Sequence, residues 1–396
     1  MFAARRRTRL SFVRILLVGD YPPDPRLGST KVLVKLQEEF RALGHTCDLL
    51  LADGLGRAPH NPYLRQAFGP LAAWSAVRRM FTINGRYDVV DVASAEGLWI
   101  ASLGRRMLRG AVVISRSNGL EHLNYRRMLD DAAGGLASKP WTRRLFHPVV
   151  RLTQVAAAAR AADRLLLLND GDRAFALERG WKSEARIDVV PHGVSSRFLA
   201  DAPSGREERG RGILFCGSWT AMKGVAYLAD AFSRLVESGR AANLTILGGA
   251  VPEGEIRSAF APEARRLLTI LERAPEDEVM AAYRVHDVLA WPSTYEGFGM
   301  VVVEAMSQRL PVVATPVGCA PSLLIPGCSG LLVPPRDPAA LAAALERMLT
   351  DGGLRARCSA AAFDRVRGMT WTSTAEHTLD VYMRALAARS DGPDER

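Results

Sequence analysis

The feature that most constrains the fold of this chain is a regular alternation of short apolar runs with longer amphipathic stretches, along most of its 396 residues. The runs have the length of buried strands and the stretches between them have the length of helices, a pattern typical of parallel sheets covered by helices. The first half contains six predicted strands: Arg14–Gly19, Cys47–Leu51, Val89–Val92, Val112–Ser115, Leu165–Leu168 and Ile187–Val190. The second half contains six more: Ile213–Cys216, Leu244–Leu247, Leu268–Leu271, Val288–Trp291, Val312–Ala314 and Leu331–Val333.

Chain length and a polar interruption both indicate two α/β domains. One hydrophobic core rarely serves more than roughly 250–300 residues. We predict two doubly wound, Rossmann-like domains, residues 1–195 and 212–370, joined by a polar linker over residues 196–211. We also predict that a last helix in residues 371–396 crosses back to the first domain. Because open α/β sheets bind ligands at the carboxyl edge of their strands, two facing sheets predict a site in the cleft between them.

The strongest local signal is Trp291–Met306, which runs from a strand through a glycine-containing loop into a predicted helix. Gly297 and Gly299 carry no Cβ, so a ligand can approach their backbone amides, and the helix that follows presents its positive end to a diphosphate. Glu304, inside that helix, can accept hydrogen bonds from a ribose diol. Glu296, on the loop, can accept hydrogen bonds from sugar hydroxyls.

This segment resembles the Glu-x7-Glu signature of the retaining GT-B glycosyltransferases of family 4. Further segments are similar to the same family: Pro191–Val194, Gly217–Gly224, Leu310–Thr315 and Gly330–Pro335. The resemblance covers most of residues 14–385. It implies a GT-B fold and transfer of a sugar, with retention, from a UDP- or GDP-type nucleotide sugar bound in the C-terminal domain to a hydroxyl acceptor.

The resemblance also implies roles for individual residues. Glu296 would contact the transferring sugar, Glu304 would bind the donor ribose, and Lys223 would neutralise the departing diphosphate without a metal. Donor contacts are implied at Gly28, Gly217, Ser218, Gly297, Phe298 and Gly299. We therefore expect no metal, and no cofactor beyond the nucleotide sugar as co-substrate.

Two positions depart from the family. Ser218 stands where many members have an arginine, and Asn118 stands where they have an active-site histidine. An asparagine cannot transfer a proton, although it can hydrogen-bond a sugar hydroxyl. Glu121 and His122 are neighbouring candidates on the acceptor side; His122 could replace the missing imidazole, but a satisfied loop histidine is the favoured interpretation.

These departures leave alternatives open. A GT-B epimerase or phosphorylase is one, and a non-catalytic protein that binds nucleotide sugar or nucleic acid is another. A donor panel separates an enzyme from a binder, and we favour the transferase.

The net charge of +10 is unevenly distributed. Residues 1–190 contain 30 Lys and Arg against 18 Asp and Glu, whereas the remainder contains 22 against 24, which gives +12 and −2. Such an excess indicates an anionic partner or a solubilising surface. A basic and aromatic set in this half suits either anionic lipid headgroups or a packed core with solvated arginines: Trp74, Arg78, Arg79, Phe81, Lys139, Trp141, Arg143, Arg144, Phe146 and Arg151.

We expect peripheral contact with an anionic membrane, a lipid-linked acceptor as one option, and no nucleic acid. The apolar run after the basic start of the chain, Ile15–Val18, is too short for a signal segment, so we expect a cytoplasmic location. The five cysteines include no Cys-x-x-Cys pair, which argues against a structural zinc site.

Overall fold

A computed structural model describes residues 12–24, 27–56, 61–104, 107–108, 110–135, 146–203, 210, 212–240 and 242–390. These residues form two six-stranded sheets in which every strand pair is parallel. Each sheet is covered by helices on both faces. The two-domain α/β fold predicted from the sequence is confirmed.

The first sheet has the strand order β2-β1-β3-β4-β5-β6. Its strands are β1 Arg14–Val18, β2 Thr46–Leu50, β3 Val89–Ala93, β4 Val112–Arg116, β5 Arg164–Leu167 and β6 Ile187–Val189. Each lies within one residue of its predicted bounds, because buried parallel strands are largely apolar and stand out from the amphipathic stretches between them.

The second sheet has the order β12-β11-β10-β7-β8-β9. Its strands are β7 Ile213–Cys216, β8 Leu244–Leu247, β9 Leu268–Leu271, β10 Val288–Trp291, β11 Val312–Ala314 and β12 Leu331–Leu332. Read in reverse this is the 3-2-1-4-5-6 order of a dinucleotide-binding sheet, in which the winding direction reverses between the first and fourth strands.

The helices connect these strands and pack on the sheets. Those of the first half are α1 Gly28–Ala42, α2 Pro62–Asn84, α3 Gly97–Leu103, α4 Glu121–Ala133, α5 Thr153–Ala161, α6 Asp170–Glu178 and α7 Ser196–Ala200. Those of the second half are α8 Val225–Glu237, α9 Glu253–Ser258, α10 Glu276–Val285, α11 Met300–Ser307, α12 Ala320–Leu323, α13 Pro338–Thr350, α14 Gly352–Val366 and α15 Trp371–Ser390. A π-helical turn, His147–Leu152, leads directly into α5.

Several helix starts follow from local sequence. The side chains of Asn61, Asn169, Asp337 and Asp351 each accept a hydrogen bond from a backbone amide in the first turn of the helix that follows. Such capping satisfies amides that have no partner within the helix. Proline follows the cap at Pro62 and Pro338, where its missing N–H costs nothing.

The last helix, α15, belongs structurally to the first domain although it follows the second in the chain. Trp371, Leu379 and Tyr382 are buried in the core formed by β1, β3, β4 and α1. The Tyr382 ring lies 5.7 Å from that of Phe40 on α1. The chain therefore crosses between the domains twice.

The segment predicted as a linker begins with a helix. Residues Ser196–Ala200 form the short helix α7, whose Phe198 is buried and whose ring lies 6.3 Å from that of Tyr283 on α10. This apolar contact attaches the start of the segment to the second domain. Residues 204–209 and 211 lie outside the described residues.

Within the described residues, no helix combines the length and apolar character required to span a bilayer. Four members of the basic and aromatic set, Lys139, Trp141, Arg143 and Arg144, lie outside the described residues.

Candidate active site

The strand order of each sheet places its reversal point at the cleft. In the first sheet β1 and β3 are neighbours, and in the second β7 and β10 are neighbours. Loops that leave adjacent strands in opposite directions open a crevice at the carboxyl edge, where ligands bind. The loops after β7 and β10 contain most of the predicted donor residues, and those after β1 and β3 lie on the opposite side.

The loop after β7 positions Lys223. Gly217 follows the strand with φ +143°, and Lys223 ends a short 3-10 turn, Ala221–Lys223, before Gly224. Gly224 has φ +70°, and a Cβ there would lie 1.9 Å from the carbonyl oxygen of Pro292. Only glycine allows the two loops to approach this closely. The Thr294 amide also donates to the Met222 carbonyl at 2.8 Å, which ties the β10 loop to the β7 loop.

This close approach brings Lys223 and Glu296 together. The Lys223 ammonium donates directly to Oε1 of Glu296, and the hydroxyl of Ser293 lies 3.3 Å from the same oxygen. The two side chains are 17% and 11% exposed, so they are largely desolvated yet accessible from the cleft. A fixed ammonium in such a site stabilises developing negative charge more strongly than it could in water.

Helix α11 begins immediately beyond Glu296. Gly299, with φ +94°, precedes its first residue, and a Cβ there would lie 2.5 Å from the Trp291 ring. A Cβ on Gly297 would lie 2.0 Å from the carbonyl oxygen of Asn118 in the first domain. Packing within the protein therefore requires glycine at both positions. The sequence analysis explained these glycines only by the approach of a ligand.

The Phe298 side chain does not face the cleft. It is buried in the core of the second domain, with its ring 5.3 Å from that of His192. The apolar ring packs inward, so a donor contact at Phe298 would be made by its backbone, and that contact stays a prediction. Its carbonyl accepts a hydrogen bond from the Cys319 amide at 2.7 Å.

Glu304 lies on α11, one turn beyond the loop. The hydroxyl of Tyr283 donates to its Oε2 at 3.1 Å. Burial raises the pKa of Glu304, and the charge of Lys31, on α1 of the first domain, opposes that rise. The carboxylate can therefore accept further hydrogen bonds from a ligand in the cleft. It also interacts electrostatically with Lys31 of the first domain.

Three other predicted donor residues have different surroundings. Gly217 lies beside the Lys223 side chain, because a Cβ added to Gly217 would lie 3.8 Å from Lys223 Cε. Ser218 is half-buried in the same loop. Gly28 is the first residue of α1, and no atom lies within 4 Å of the place where its Cβ would be. Protein packing does not require glycine there.

Asn118 lies at the contact between the domains. Its side-chain amide donates to the Tyr21 hydroxyl at 3.2 Å, and its Oδ1 is buried without a partner among the described residues. Two hydrogen bonds fix the surrounding backbone: Tyr295 Oη donates to the Leu120 carbonyl at 3.0 Å, and Asn169 Nδ2 donates to the Gly297 carbonyl at 2.6 Å. These bonds hold the loops after β4 and β5 against the Glu296 loop.

His122 packs among aromatic rings. It lies on α4 with its ring 4.8 Å from that of Trp181 and 5.8 Å from that of Phe175. Burial lowers its pKa to about 4, so the ring is neutral at pH 7. Its Nδ1 is buried without a hydrogen-bond partner among the described residues, and it lies in a helix, so it is not the satisfied loop histidine of the favoured interpretation. Its role on the acceptor side stays a prediction.

Glu121 belongs to an ion-pair cluster that sequence reasoning missed. Arg151 donates to Glu121 and to Glu96, and the Ser94 hydroxyl donates to Glu121 at 2.6 Å. Although burial raises it, the paired guanidinium holds the pKa of Glu121 below its usual value. Arg151 is therefore not one of the solvated arginines of the basic and aromatic set.

A sequence signal existed for part of this cluster. Glu96 and Tyr21 follow predicted strands within a few residues, as Glu296 does, so the carboxyl-edge rule could have selected them. Arg151 lies in the π-helical turn far from any strand end, and no local pattern marks it.

Comparison with known proteins gives three results. The family model described as "Glycosyl transferases group 1" matches residues 197–365. The D-inositol 3-phosphate glycosyltransferase of Kineococcus radiotolerans is 31% identical over an alignment of 324 positions that covers 69% of this chain and 73% of that protein. The enzyme of the same name from Xylanimonas cellulosilytica is 32% identical over an alignment of 309 positions that covers 68% of this chain and 72% of that protein.

Solved structures share the fold. Sucrose-phosphate synthase from Thermosynechococcus elongatus superposes with a TM-score of 0.75 at 20% identity, covering 95% of this chain and all of that one. Anabaena HepE in complex with UDP gives a TM-score of 0.68 at 15% identity, covering 94% of this chain and all of that one.

Proposed function

The chain belongs to the group 1 glycosyl transferases and is a glycosyltransferase that uses a nucleotide-sugar donor, and from this premise we propose that it transfers the sugar with retention to a hydroxyl acceptor. The donor is a UDP- or GDP-type nucleotide sugar. One observation carries the proposal: the Lys223–Glu296 pair, the start of α11 and the Glu304 carboxylate converge on one side of the cleft.

Each group suits one part of such a donor. Lys223 and the first-turn amides of α11 suit the diphosphate, whose charge grows as it departs. Glu304 suits the ribose diol, and Glu296 suits hydroxyls of the transferring sugar. Donor binding then requires Lys223 to exchange its carboxylate partner for phosphate oxygens.

The proposed reaction balances without a protein nucleophile. The acceptor oxygen forms the new bond to the anomeric carbon while the bond from that carbon to the phosphate oxygen breaks. The electron pair leaves with the diphosphate, and the acceptor proton passes to a departing phosphate oxygen on the same face. The protein orients the reactants and stabilises charge. Asn118 contributes positioning by a hydrogen bond and no proton transfer.

A radiolabelled panel of UDP- and GDP-sugars tests this proposal, with product configuration read by NMR. UDP-glucose is a rational first member, because a protein of the same fold was solved with UDP. Glu296→Gln should abolish transfer with an unchanged circular dichroism spectrum. Glu263→Gln, an exposed glutamate in the same domain, is the matched control. Full activity of the Glu296 variant, or inversion in the product, would overturn the proposal.

We propose, second, that the protein attaches peripherally to an anionic membrane that presents a lipid-linked acceptor. A surface on α2 supports this attachment. Leu64, Phe68 and Leu71 share one face of the helix and are 48%, 54% and 48% exposed. Arg78 continues the same face and is also exposed. Exposed apolar residues next to a cation suit a headgroup layer.

Co-sedimentation with vesicles of phosphatidylcholine alone, or with added phosphatidylserine, tests this attachment. We expect binding only to the anionic vesicles, and Phe68→Ser should reduce it. Leu103→Ser, at another exposed leucine on α3, is the control. Equal recovery with both vesicle types, or no binding to either, would contradict it. The cytoplasmic location stays a prediction.

A further inference from the structure

Glu296 lies between two residues that the first domain holds. The Tyr295 hydroxyl donates at 3.0 Å to the carbonyl of Leu120, the residue before α4. On the other side of Glu296, the Gly297 carbonyl accepts a hydrogen bond from Nδ2 of Asn169 at 2.6 Å. Both neighbours of the proposed sugar-binding carboxylate are therefore fixed from the acceptor side of the cleft.

The second domain holds the same loop one residue further out on each side. The Thr294 amide donates to the Met222 carbonyl at 2.8 Å, and the Cys319 amide donates to the Phe298 carbonyl at 2.7 Å. These bonds fix the two ends of the loop, at residues 294 and 298. Between these ends, the two bonds described above come from the first domain, so the orientation of the loop depends on both domains.

Direct packing reinforces the two bonds. A Cβ on Gly297 would lie 2.0 Å from the carbonyl oxygen of Asn118, and a Cβ on Gly119 would lie 2.9 Å from the Gly297 Cα. Backbone meets backbone here, and glycine has no side chain that could adjust to a displacement. A shift of the first-domain backbone therefore displaces the backbone next to Glu296.

Asn169 uses both ends of its side-chain amide. Its Oδ1 accepts from the Asp172 amide at 2.8 Å and caps α6, while its Nδ2 donates across the cleft to Gly297. The residue is 6% exposed, so water competes little for these bonds. Serine or aspartate would serve equally well as a cap and has no amide donor. Capping therefore accounts for the oxygen of this side chain, and the donor loop accounts for its nitrogen.

Donor binding makes the support of the loop more important. Oε1 of Glu296 accepts hydrogen bonds from Lys223 and from Ser293. If Lys223 moves to the diphosphate, the direction of the carboxylate depends on Ser293 and on the loop backbone. A reacting site must hold its groups within about 0.5 Å of the productive geometry, which requires such supporting bonds.

We infer that Asn169 and Tyr295 are positioning residues: their hydrogen bonds across the cleft hold Glu296 in place for the transferring sugar, so that the first domain completes the donor site. The inference rests on the proposed function, since that function assigns the sugar contact to Glu296. The nucleoside diphosphate is proposed to contact Lys223, Glu304 and α11, all of the second domain. Loss of either bond should therefore lower the rate of transfer with little effect on nucleotide binding.

The variant Asn169→Ser separates positioning from capping. The serine hydroxyl can cap α6, but a side chain with one polar atom cannot also hold the Gly297 carbonyl. With the donor that the panel identifies, we expect kcat for transfer or donor hydrolysis to fall about tenfold. The affinity for UDP or GDP, measured by titration calorimetry, should change by less than about threefold. Asn61→Ser, the same substitution at the exposed cap of α2, should change neither quantity.

Tyr295→Phe removes the second bond by deleting one hydroxyl. We expect kcat to fall by about three- to tenfold, again with little change in nucleotide affinity. Tyr87→Phe, which deletes a hydroxyl that donates to Asp48 within the first domain, should leave kcat unchanged. An unchanged kcat in both cleft variants would overturn the inference. A loss of nucleotide affinity as large as the loss of kcat would overturn it too.

Hydrogen exchange tests the inference without turnover. In Asn169→Ser and Tyr295→Phe, the amides of residues 293–299 should exchange about tenfold faster than in the wild type, because the loop opens more easily. Asn61→Ser should not change this exchange. Unchanged exchange of the segment in both cleft variants would overturn the inference at any measured rate of transfer.

Glu296→Gln, assayed alongside, distinguishes the two levels of the proposal. Full activity of that variant would show that the proposed function has failed, because the sugar contact itself would be absent. Loss of transfer in Glu296→Gln together with an unchanged kcat in the Asn169 and Tyr295 variants would remove only their positioning role.

Discussion

The two sides of the cleft each pair one cation with carboxylates, although the domains that form them differ in net charge. The N-terminal half has a net charge of +12, and there Arg151 is paired with Glu96 and Glu121. The C-terminal half has a net charge of −2, and there Lys223 is paired with Glu296 beside the start of α11. Net charge therefore describes the outer surface of each domain, and the groups at the strand ends decide what the cleft binds.

The two sides also differ in how they are assembled. The donor side uses two adjacent loops, each held close to the other by a glycine, so its residues form recognisable local motifs. The acceptor side takes one or two residues from each of several separate segments. A mutation on the donor side should therefore alter the reaction, whereas one on the acceptor side, Asn169 apart, should alter selectivity or stability.

After the loss of transfer expected for Glu296→Gln, the largest effect is expected from Lys223→Ala. Removing a fixed charge that stabilises the leaving group should reduce kcat by about 10²–10³-fold. Turnover at saturating donor measures it, with circular dichroism as the check on folding. Lys35→Ala, at a lysine paired with Glu38 on the surface of α1, should have no effect. A Lys223 variant with the rate of the wild type would remove the donor side as the centre of charge stabilisation.

The next effect concerns the stability of the first domain, in which the Asp172 carboxylate accepts a hydrogen bond from the Leu120 amide at 3.3 Å. Asp172 is 2% exposed, and burial raises its pKa to about 7. Because the folded value exceeds the unfolded one, this group contributes stability at low pH that is lost as pH rises through 7. We expect the free energy of unfolding to contain a term that falls by about 2–3 kcal/mol between pH 5 and pH 8.

Urea unfolding of Asp172→Asn measures this term by difference, since the variant cannot ionise there. The wild type should lose more stability than the variant over that pH interval. Asp170→Asn, at an exposed aspartate in the first turn of the same helix, is the control. If the free energy of unfolding of the wild type and of the Asp172 variant changed with pH in parallel, ionisation of the Asp172 carboxyl would not destabilise the folded protein.

A smaller effect on the donor side separates binding from turnover. Glu304→Ala removes hydrogen bonds to a charged group and should weaken nucleoside diphosphate binding by about 10- to 100-fold, with less effect on kcat. Titration calorimetry measures the affinity. Tyr283→Phe removes only the hydroxyl that supports Glu304 and should weaken binding less. Equal affinity in the wild type and the Glu304 variant would exclude this carboxylate from the ribose site.

The smallest expected effect is that of metal removal. If Lys223 and the amides of α11 supply the positive charge for the diphosphate, EDTA treatment should leave the transfer rate unchanged. Assays with and without EDTA, followed by added Mg²⁺ or Mn²⁺, measure this. A large loss of transfer rate that Mg²⁺ or Mn²⁺ restores would show that Lys223 and the α11 amides do not supply enough positive charge for the diphosphate by themselves.

Much of the fold could be predicted because each strand and helix is encoded by consecutive residues. The strand Val288–Trp291 has its predicted bounds, since four apolar residues between polar ones leave little choice. Glu296, Glu304 and Lys223 could be proposed as site residues for a related reason. Two of them lie in one strand–loop–helix unit, and the third lies in the first turn of the same domain.

The sequence by itself determined the alternation of strands and helices and the division into two domains, and it indicated the candidate donor residues, because these depend on short-range patterns. Only the tertiary structure decided that Arg151 pairs with Glu96 and Glu121, that Gly297 meets Asn118, and that the rings of Phe298 and His122 pack against other aromatic rings. Strand order brings these segments together, and the charge or space left to each side chain depends on neighbours that are distant in the chain.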